Sequence, residues 1–298
     1  MDADRSSESK LNVRQRRVAR YLRGWLASAT PKTNQAALAK ELGWSPAKLN
    51  LFLTAKKPTP VAEIIAIATM LHVDEQERDR VVAYARKGEQ DEAWWASYSD
   101  DAIQGSAADF IETEAEASAV KNLQMNLVPG LLQTADYAGA LVRSWLEEPN
   151  EAVVEERSKV RQRRQARLTD EKYPLKLHAL VHESALEQNI GGLDTMLQQL
   201  DHLVTVADLP TVTLQLIPKE VGEYAGFGTS FHLITFDDGG DAAVHLENLT
   251  WGIYIEEDAQ VAAYTLNFKR VLTHALDPEA TVERIKEIRA RRARDRKE

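Results

Sequence analysis

The sequence predicts two domains of different class: a mainly α N-terminal bundle, and an α+β C-terminal domain with a mostly antiparallel sheet. Three observations predict it. The chain has 298 residues, more than one typical domain and enough to bury two cores. Its apolar residues recur every three or four positions near the N-terminus, then alternate in several runs after residue 174. Its net charge of -9 is strongly polarised, because Lys10 to Lys57 carries eleven Lys or Arg against a single acid, Glu41. A basic block on an acidic protein is the electrostatic footprint of a nucleic-acid domain joined to something else.

Composition also excludes several classes. No uninterrupted apolar run reaches membrane-span length, so no membrane association is expected. The N-terminus MDADRSSESK has no apolar stretch behind it, so no secretory signal is read and a cytoplasmic location is expected. Absent cysteines remove disulfides, thiol nucleophiles and the common structural zinc sites together.

The basic block has internal order. Leu11 to Leu26 places Val13, Val18, Tyr21, Leu22, Trp25 and Leu26 on one helical face, with Arg14, Arg16, Arg17, Arg20 and Arg23 on the other. In TNQAALAKELGWSPAKLNLFLTAKKPTP, Thr33 is read as the cap of a helix carrying Leu38, Ala39 and Leu42, ended by a left-handed Gly43. Ser45 caps the next helix, with Pro46 at its first position and Leu49, Phe52 and Leu53 on its buried side. Two short helices around a Gly43-Trp44 turn have helix-turn-helix geometry, in which Ala47, Lys48, Asn50 and Leu51 would face base edges.

On Gln35, Leu38, Ala39, Gly43, Ser45, Leu49 and Asn50, followed by Lys56, Lys57, Pro58 and Pro60, residues 11 to 85 resemble the Xre or lambda-repressor-like helix-turn-helix regulators. The resemblance implies a five-helix bundle closed by the apolar helix Val61 to Leu71. One departure stands out: the family pattern places a Glu two residues before a Gly after the recognition helix, and here those positions are Leu53 and Ala55. The expected DNA-binding set is Arg17, Gln35, Ser45, Ala47, Lys48, Asn50, Lys56 and Lys57. The first-helix arginines, Gln35, Lys56 and Lys57 would hold phosphates, and Ser45, Ala47, Lys48 and Asn50 would read the groove.

Domain bounds are read as 1–87 for the bundle, 88–120 for an acidic connecting segment and 121–298 for the α+β domain. The connecting segment holds Trp94, Trp95 and Tyr98, aromatics dense enough to demand burial in a short helix, with acids from Asp100 to Glu116 covering its outside. In NLVPGLLQTADYAGALV, Pro129 and Gly130 suit the centre of a type II turn. Thr134 then caps a helix with Tyr137, Ala138, Leu141, Val142 and Trp145 on one face. Leu131 and Leu132 are available as anchors, and Gln133 and Tyr137 as contacts for a ligand or partner.

VPGLLQTADYA at 128–138, HESAL at 182–186, the helix at 192–207, VTLQLIP at 212–218 and GTSFHLITF at 228–236 resemble, in that order, a WhiJ-like C-terminal domain of undefined function. That domain follows the helix-turn-helix in many actinobacterial regulators. The resemblance implies a small partner protein, encoded alongside, as a ligand of this domain. Strands are read at Leu175 to Val181, Thr211 to Ile217, Ser230 to Phe236 and Ala242 to Leu246, with DDGGD at Asp237 to Asp241 as a hairpin turn.

Catalytic signatures fail one by one. His178 and His182 are four apart with no third ligand nearby, and are read as structural. GEYAGFGTSF at Gly222 to Phe231 lacks a nucleophile elbow and a phosphate-loop lysine, so it reads as a loop, with a lid over a ligand as the alternative. ERSKVRQRRQAR at 156–167 and the C-terminal RIKEIRARRARDRKE read as solvated or partner-facing basic helices. The expectation is a sequence-specific, homodimeric DNA-binding transcriptional regulator, not an enzyme, with neither metal nor cofactor. Its C-terminal domain would sense a small-molecule effector or bind the partner. An antitoxin-like half of a two-protein pair and a DNA-tethered enzyme remain the alternatives.

Overall fold

The computed structural model describes residues 13–90, 94–99, 101–103, 106–146, 148, 150–236, 242–247 and 252–295. Contacts divide the chain into two compact units, Met1–Trp94 and Trp95–Glu298, so the split falls inside the acidic segment. Among the described residues no helix is long and apolar enough to cross a membrane.

Unit 1 is a bundle of α1 (Val13–Ser28), α2 (Gln35–Glu41), α3 (Pro46–Leu53), α4 (Val61–Met70) and α5 (Glu75–Gln90). Its core joins Leu22 and Trp25 of α1, Leu38 of α2, Leu49 and Phe52 of α3, Ile64 and Ile67 of α4 and Val81 of α5. The cap of α2 is Asn34, not Thr33: its side chain accepts from Ala37 N at 3.0 Å, and an Asx oxygen caps at least as well as a threonine hydroxyl. Gly43 does end α2 in the left-handed region, at φ 68°.

Unit 2 follows the order α6 (Ser106–Glu116), β1 (Ala119–Gln124), α7 (Ala135–Trp145), α8 (Glu151–Gln165), β2 (Lys176–His182), α9 (Ser184–Glu187), α10 (Leu193–Val206) and β3 (Val212–Ile217). It ends with β4 (Phe231–Thr235), β5 (Ala242–Glu247), β6 (Gly252–Ile255), α11 (Asp258–Leu272) and α12 (Pro278–Asp295). The strand order is β3-β2-β1-β4-β5-β6. The sheet is mixed, not mostly antiparallel: β1, β2 and β3 run parallel, and β4, β5 and β6 pair antiparallel. The reason is connectivity. The chain passes through α7 and α8 between β1 and β2, and through α9 and α10 between β2 and β3, and helical crossovers return a strand in the same direction. The expected DDGGD turn lies outside the described residues, between two strands that do pair antiparallel.

One sheet face is apolar. Leu123, Leu180, Phe231, Leu233 and Val244 pack there against Phe268 and Val271 of α11. The basic helices keep much of their charge exposed, as with Lys159, Lys286, Arg289 and Arg291, but several of their arginines also bond within the unit. In α8, Arg164 grips Glu114 of α6 through two bonds of 2.7 and 2.8 Å, and Arg157 donates to the Asp101 carbonyl. Just past α8, Arg167 donates to the Ala115 and Ala117 carbonyls. In α12, Arg289 pairs with Asp201 of α10 and Arg291 with Glu187 of α9. Glu114, expected among the outer acids, is therefore buried.

Candidate nucleic-acid interface and regulatory site

In unit 1, α3 is presented ready-made. Ser45 Oγ accepts from Lys48 N at 3.2 Å and Pro46 occupies the first turn, so this N-terminus is fixed locally by its own sequence. Leu49, Phe52 and Leu53 are buried while Ser45, Ala47, Asn50 and Leu51 are exposed, leaving the expected reading face open. Gln35 of α2 donates to Asn50 Oδ1 at 3.4 Å, which ties the two helices together on that face. Lys56 and Lys57 are exposed just beyond α3, with their backbone amides bonded to the Leu51 carbonyl at 2.9 and 3.2 Å.

Three expected contacts are placed differently. Arg17 is only 2% exposed and stacks 4.5 Å over the Tyr84 ring, so it is a core cation that would have to leave the bundle's interior to meet a phosphate. Arg23 donates to the Leu53 carbonyl at 2.5 Å, closing the end of α3. Lys48 is held 2.9 Å from Glu63 and 4.1 Å over the Trp44 ring, and must leave both to touch a base. At the point of departure from the family pattern, Ala55 takes φ 53°, the conformation that glycine would adopt without strain.

The signature segment of unit 2 is a buried knot. Pro129 precedes a 3-10 turn over Gly130–Leu132, and Gly130 lies outside the left-handed region, so the expected type II turn is not formed. The Leu132 N bond to the Pro129 carbonyl, 2.8 Å, closes the 3-10 turn in its place. Leu131, Leu132 and Gln133 are buried. Thr134 caps α7 as expected, accepting from Tyr137 N at 3.3 Å. Around it, Gln199 of α10 accepts from Thr134 N and donates to the Leu132 carbonyl, both at 2.7 Å. Gln165 donates to the Gly130 and Gln133 carbonyls, Gln133 to the Val128 carbonyl, and the Tyr137 hydroxyl accepts from Val128 N. Burial raises the Tyr137 pKa, partly offset by that backbone bond. These groups hold the loop together from within. Trp145, expected on the inner face of α7, is 49% exposed.

The expected structural histidines of β2 are paired, His178 Nε2 with Gln215 at 2.9 Å and His182 Nδ1 with Ser184 Oγ at 2.7 Å. Burial lowers both pKa values. The sequence reading missed a different feature. Asn122 of β1, His232 of β4, His245 of β5 and Tyr254 of β6 stand in register, a polar row across four strands on the face opposite the apolar one. Phe110 of α6 covers it, with ring centroids 5.0 Å from His232 and 4.5 Å from His245, and the Arg164 guanidinium lies 5.0 Å over Phe110. Desolvation, with Arg164 nearby, pushes His232 down to about 3. The signal was available in part: HLITF and AVHLE each carry a histidine at a position where alternation would place it on the same sheet side as its strand's other face-matched residues.

Residues 107–287, more than half of the chain, match the family model described as Domain of unknown function (DUF5753). No curated protein and no solved structure matches.

Proposed function

The chain belongs to the DUF5753 family of undefined function, and from that premise we propose that it is a sequence-specific DNA-binding transcriptional regulator. Unit 1 holds the duplex, and unit 2 receives a small-molecule effector or a small partner protein. The observation that carries the reading is α3: a capped helix whose Ala47, Asn50 and Leu51 face outward, followed at once by exposed Lys56 and Lys57. Such a helix fits a major groove, and lysines at its exit suit the flanking phosphates. Lys48 joins the base contacts only after exchanging Glu63 for DNA.

A single small bundle offers few base contacts, so specificity calls for a homodimer on two half-sites whose centres lie about one helical turn, or a multiple of it, apart. The test is selection of the full-length protein on a library of random duplexes. Enrichment of a two-fold symmetric sequence supports the proposal. A library recovered without any enriched sequence counts against it.

A further inference from the structure

The outer face of α3 is short of charge. Successive residues of a helix turn by about 100°, so Ala47, Asn50 and Leu51 share one face, opposite the buried Leu49, Phe52 and Leu53. Lys48, the one cation of α3, sits at the flank of that face and is held sideways. Its ammonium lies 2.9 Å from Glu63 Oε1 in the first turn of α4, 4.1 Å from the centroid of the Trp44 ring and 5.9 Å from that of Phe52. The Glu63 carboxylate has no other ion pair and no other hydrogen bond among the described residues. Each side chain is therefore the other's charge partner.

The four base pairs call for different side chains. Guanine is read most often by an arginine or lysine at its O6 and N7, and thymine by an apolar side chain against its 5-methyl group. Lys48 takes the first role only by giving up the Trp44 ring and leaving the Glu63 carboxylate, 22% exposed, unpaired beside the duplex. That exchange loses a charge pair and a cation–π contact and adds repulsion between a carboxylate and the phosphates, all for one base contact. Ala47 and Leu51 need no exchange. Leu51 is 38% exposed, and covering it with thymine methyl groups removes apolar surface of both partners from water. Asn50 completes the face: its Oδ1 accepts from Gln35 Nε2 at 3.4 Å, and its amide nitrogen remains to donate to the N7 of an adenine.

We propose that the half-site under α3 is a run of A·T pairs, read at thymine methyl groups by Ala47 and Leu51 and at adenine by Asn50, with Lys48 withheld from guanine by Glu63. Glu63 is then a specificity-determining residue that touches no base and acts through Lys48. The inference rests on unit 1 holding DNA through α3, and it gives the operator a composition.

The experiment starts from the duplex selected by the full-length protein. Each thymine of a half-site is replaced in turn by deoxyuridine, which removes the 5-methyl group and nothing else, and affinity is read by fluorescence anisotropy. At one position or more the parent protein loses about fourfold, the worth of one buried methyl group. Leu51→Ala abolishes the difference between thymine and deoxyuridine at one such position. A second selection uses Glu63→Gln, in which no charge holds Lys48: it enriches guanine where the parent takes adenine or thymine, and Lys48→Ala added to it returns the parent's sequence. Deoxyuridine tolerated at every thymine, a parent half-site built on G·C pairs, or the same sequence selected by the parent and by Glu63→Gln each overturns the proposal. The deoxyuridine series needs no variant, so it decides even where a substitution unfolds the bundle. A parent protein that enriches no sequence loses the regulator reading and the operator composition together, whereas a symmetric sequence indifferent to deoxyuridine removes the composition alone.

Discussion

The two units use basic residues in opposite ways. In unit 2, Arg164 of α8 and Arg167 just beyond it bond to α6 and the residue that follows it, and Arg289 and Arg291 of α12 pair with carboxylates of α10 and α9, so part of a run that reads as a charged surface in sequence ties neighbouring elements together. In unit 1, Arg17 and Arg23 are likewise consumed internally. Lys32, Lys40, Lys56 and Lys57, however, stand exposed with no acid or carbonyl within bonding distance among the described residues. Density of positive charge therefore does not locate an interface. What matters is whether the folded chain supplies the counter-charge itself, and around the exit of α3 it does not.

Breaking the fastening in unit 2 gives the largest expected effect. Glu114→Ala strands the largely buried Arg164, itself 14% exposed with a partner that is 4% exposed, and should cost about 3–5 kcal/mol in urea unfolding. A loss below about 1 kcal/mol would mean that the pair is an ordinary surface bridge. Next comes the signature knot. Gln199→Ala leaves the Thr134 amide and the Leu132 carbonyl unpaired, at about 1–3 kcal/mol for each group that stays buried. Gly130→Ala, by contrast, should change stability by less than about 0.5 kcal/mol, because the new Cβ meets only the Arg164 guanidinium, at 3.7 and 3.8 Å. If the glycine substitution proved the more damaging of the two, the knot would depend on the turn and not on Gln199.

Acid should separate the units further. His232 titrates near 3 when folded and near 6.5 when unfolded, so the unfolded chain takes up its proton first as pH falls. Its contribution is complete above about pH 6.5 and declines by about 1.4 kcal/mol per pH unit on the way down to 3. Unfolding at pH 7, 6 and 5 should show this slope shrinking in His232→Gln, and an unchanged slope would mean that His232 is already solvated. The smallest effect belongs to unit 1. Ala55→Gly relieves a left-handed alanine and should stabilise the bundle by up to about 1 kcal/mol, read from the same denaturant curves, whereas destabilisation would indicate that the alanine methyl packs usefully.

Local signals were the legible ones. Ser45, Pro46 and Gly43 announce α3 because caps and left-handed positions are decided within a few residues. Thr134 announces α7 for the same reason. β1 went unread because Lys121 and Asn122 interrupt its apolar run, and Asn122 is buried only through strands that arrive more than fifty residues later. The partners of Arg164 and Arg289 are similarly remote, on α6 and α10, which no helical periodicity can specify. The role of Gln199 is hidden in a helix whose pattern shows only a buried glutamine, and its meaning comes from the loop it meets.

The central claim is that α3 reads bases while the lysines after it hold phosphates. Fluorescence anisotropy of the full-length protein on its selected duplex and on a scrambled one, across a salt series, tests this most directly. Asn50→Ala should lose about 1–3 kcal/mol on the selected duplex alone. Lys57→Ala should weaken both duplexes alike and reduce the salt slope by about 1. Failure of the parent protein to bind either duplex at low salt, or equal losses on both duplexes from Asn50→Ala, would contradict the account.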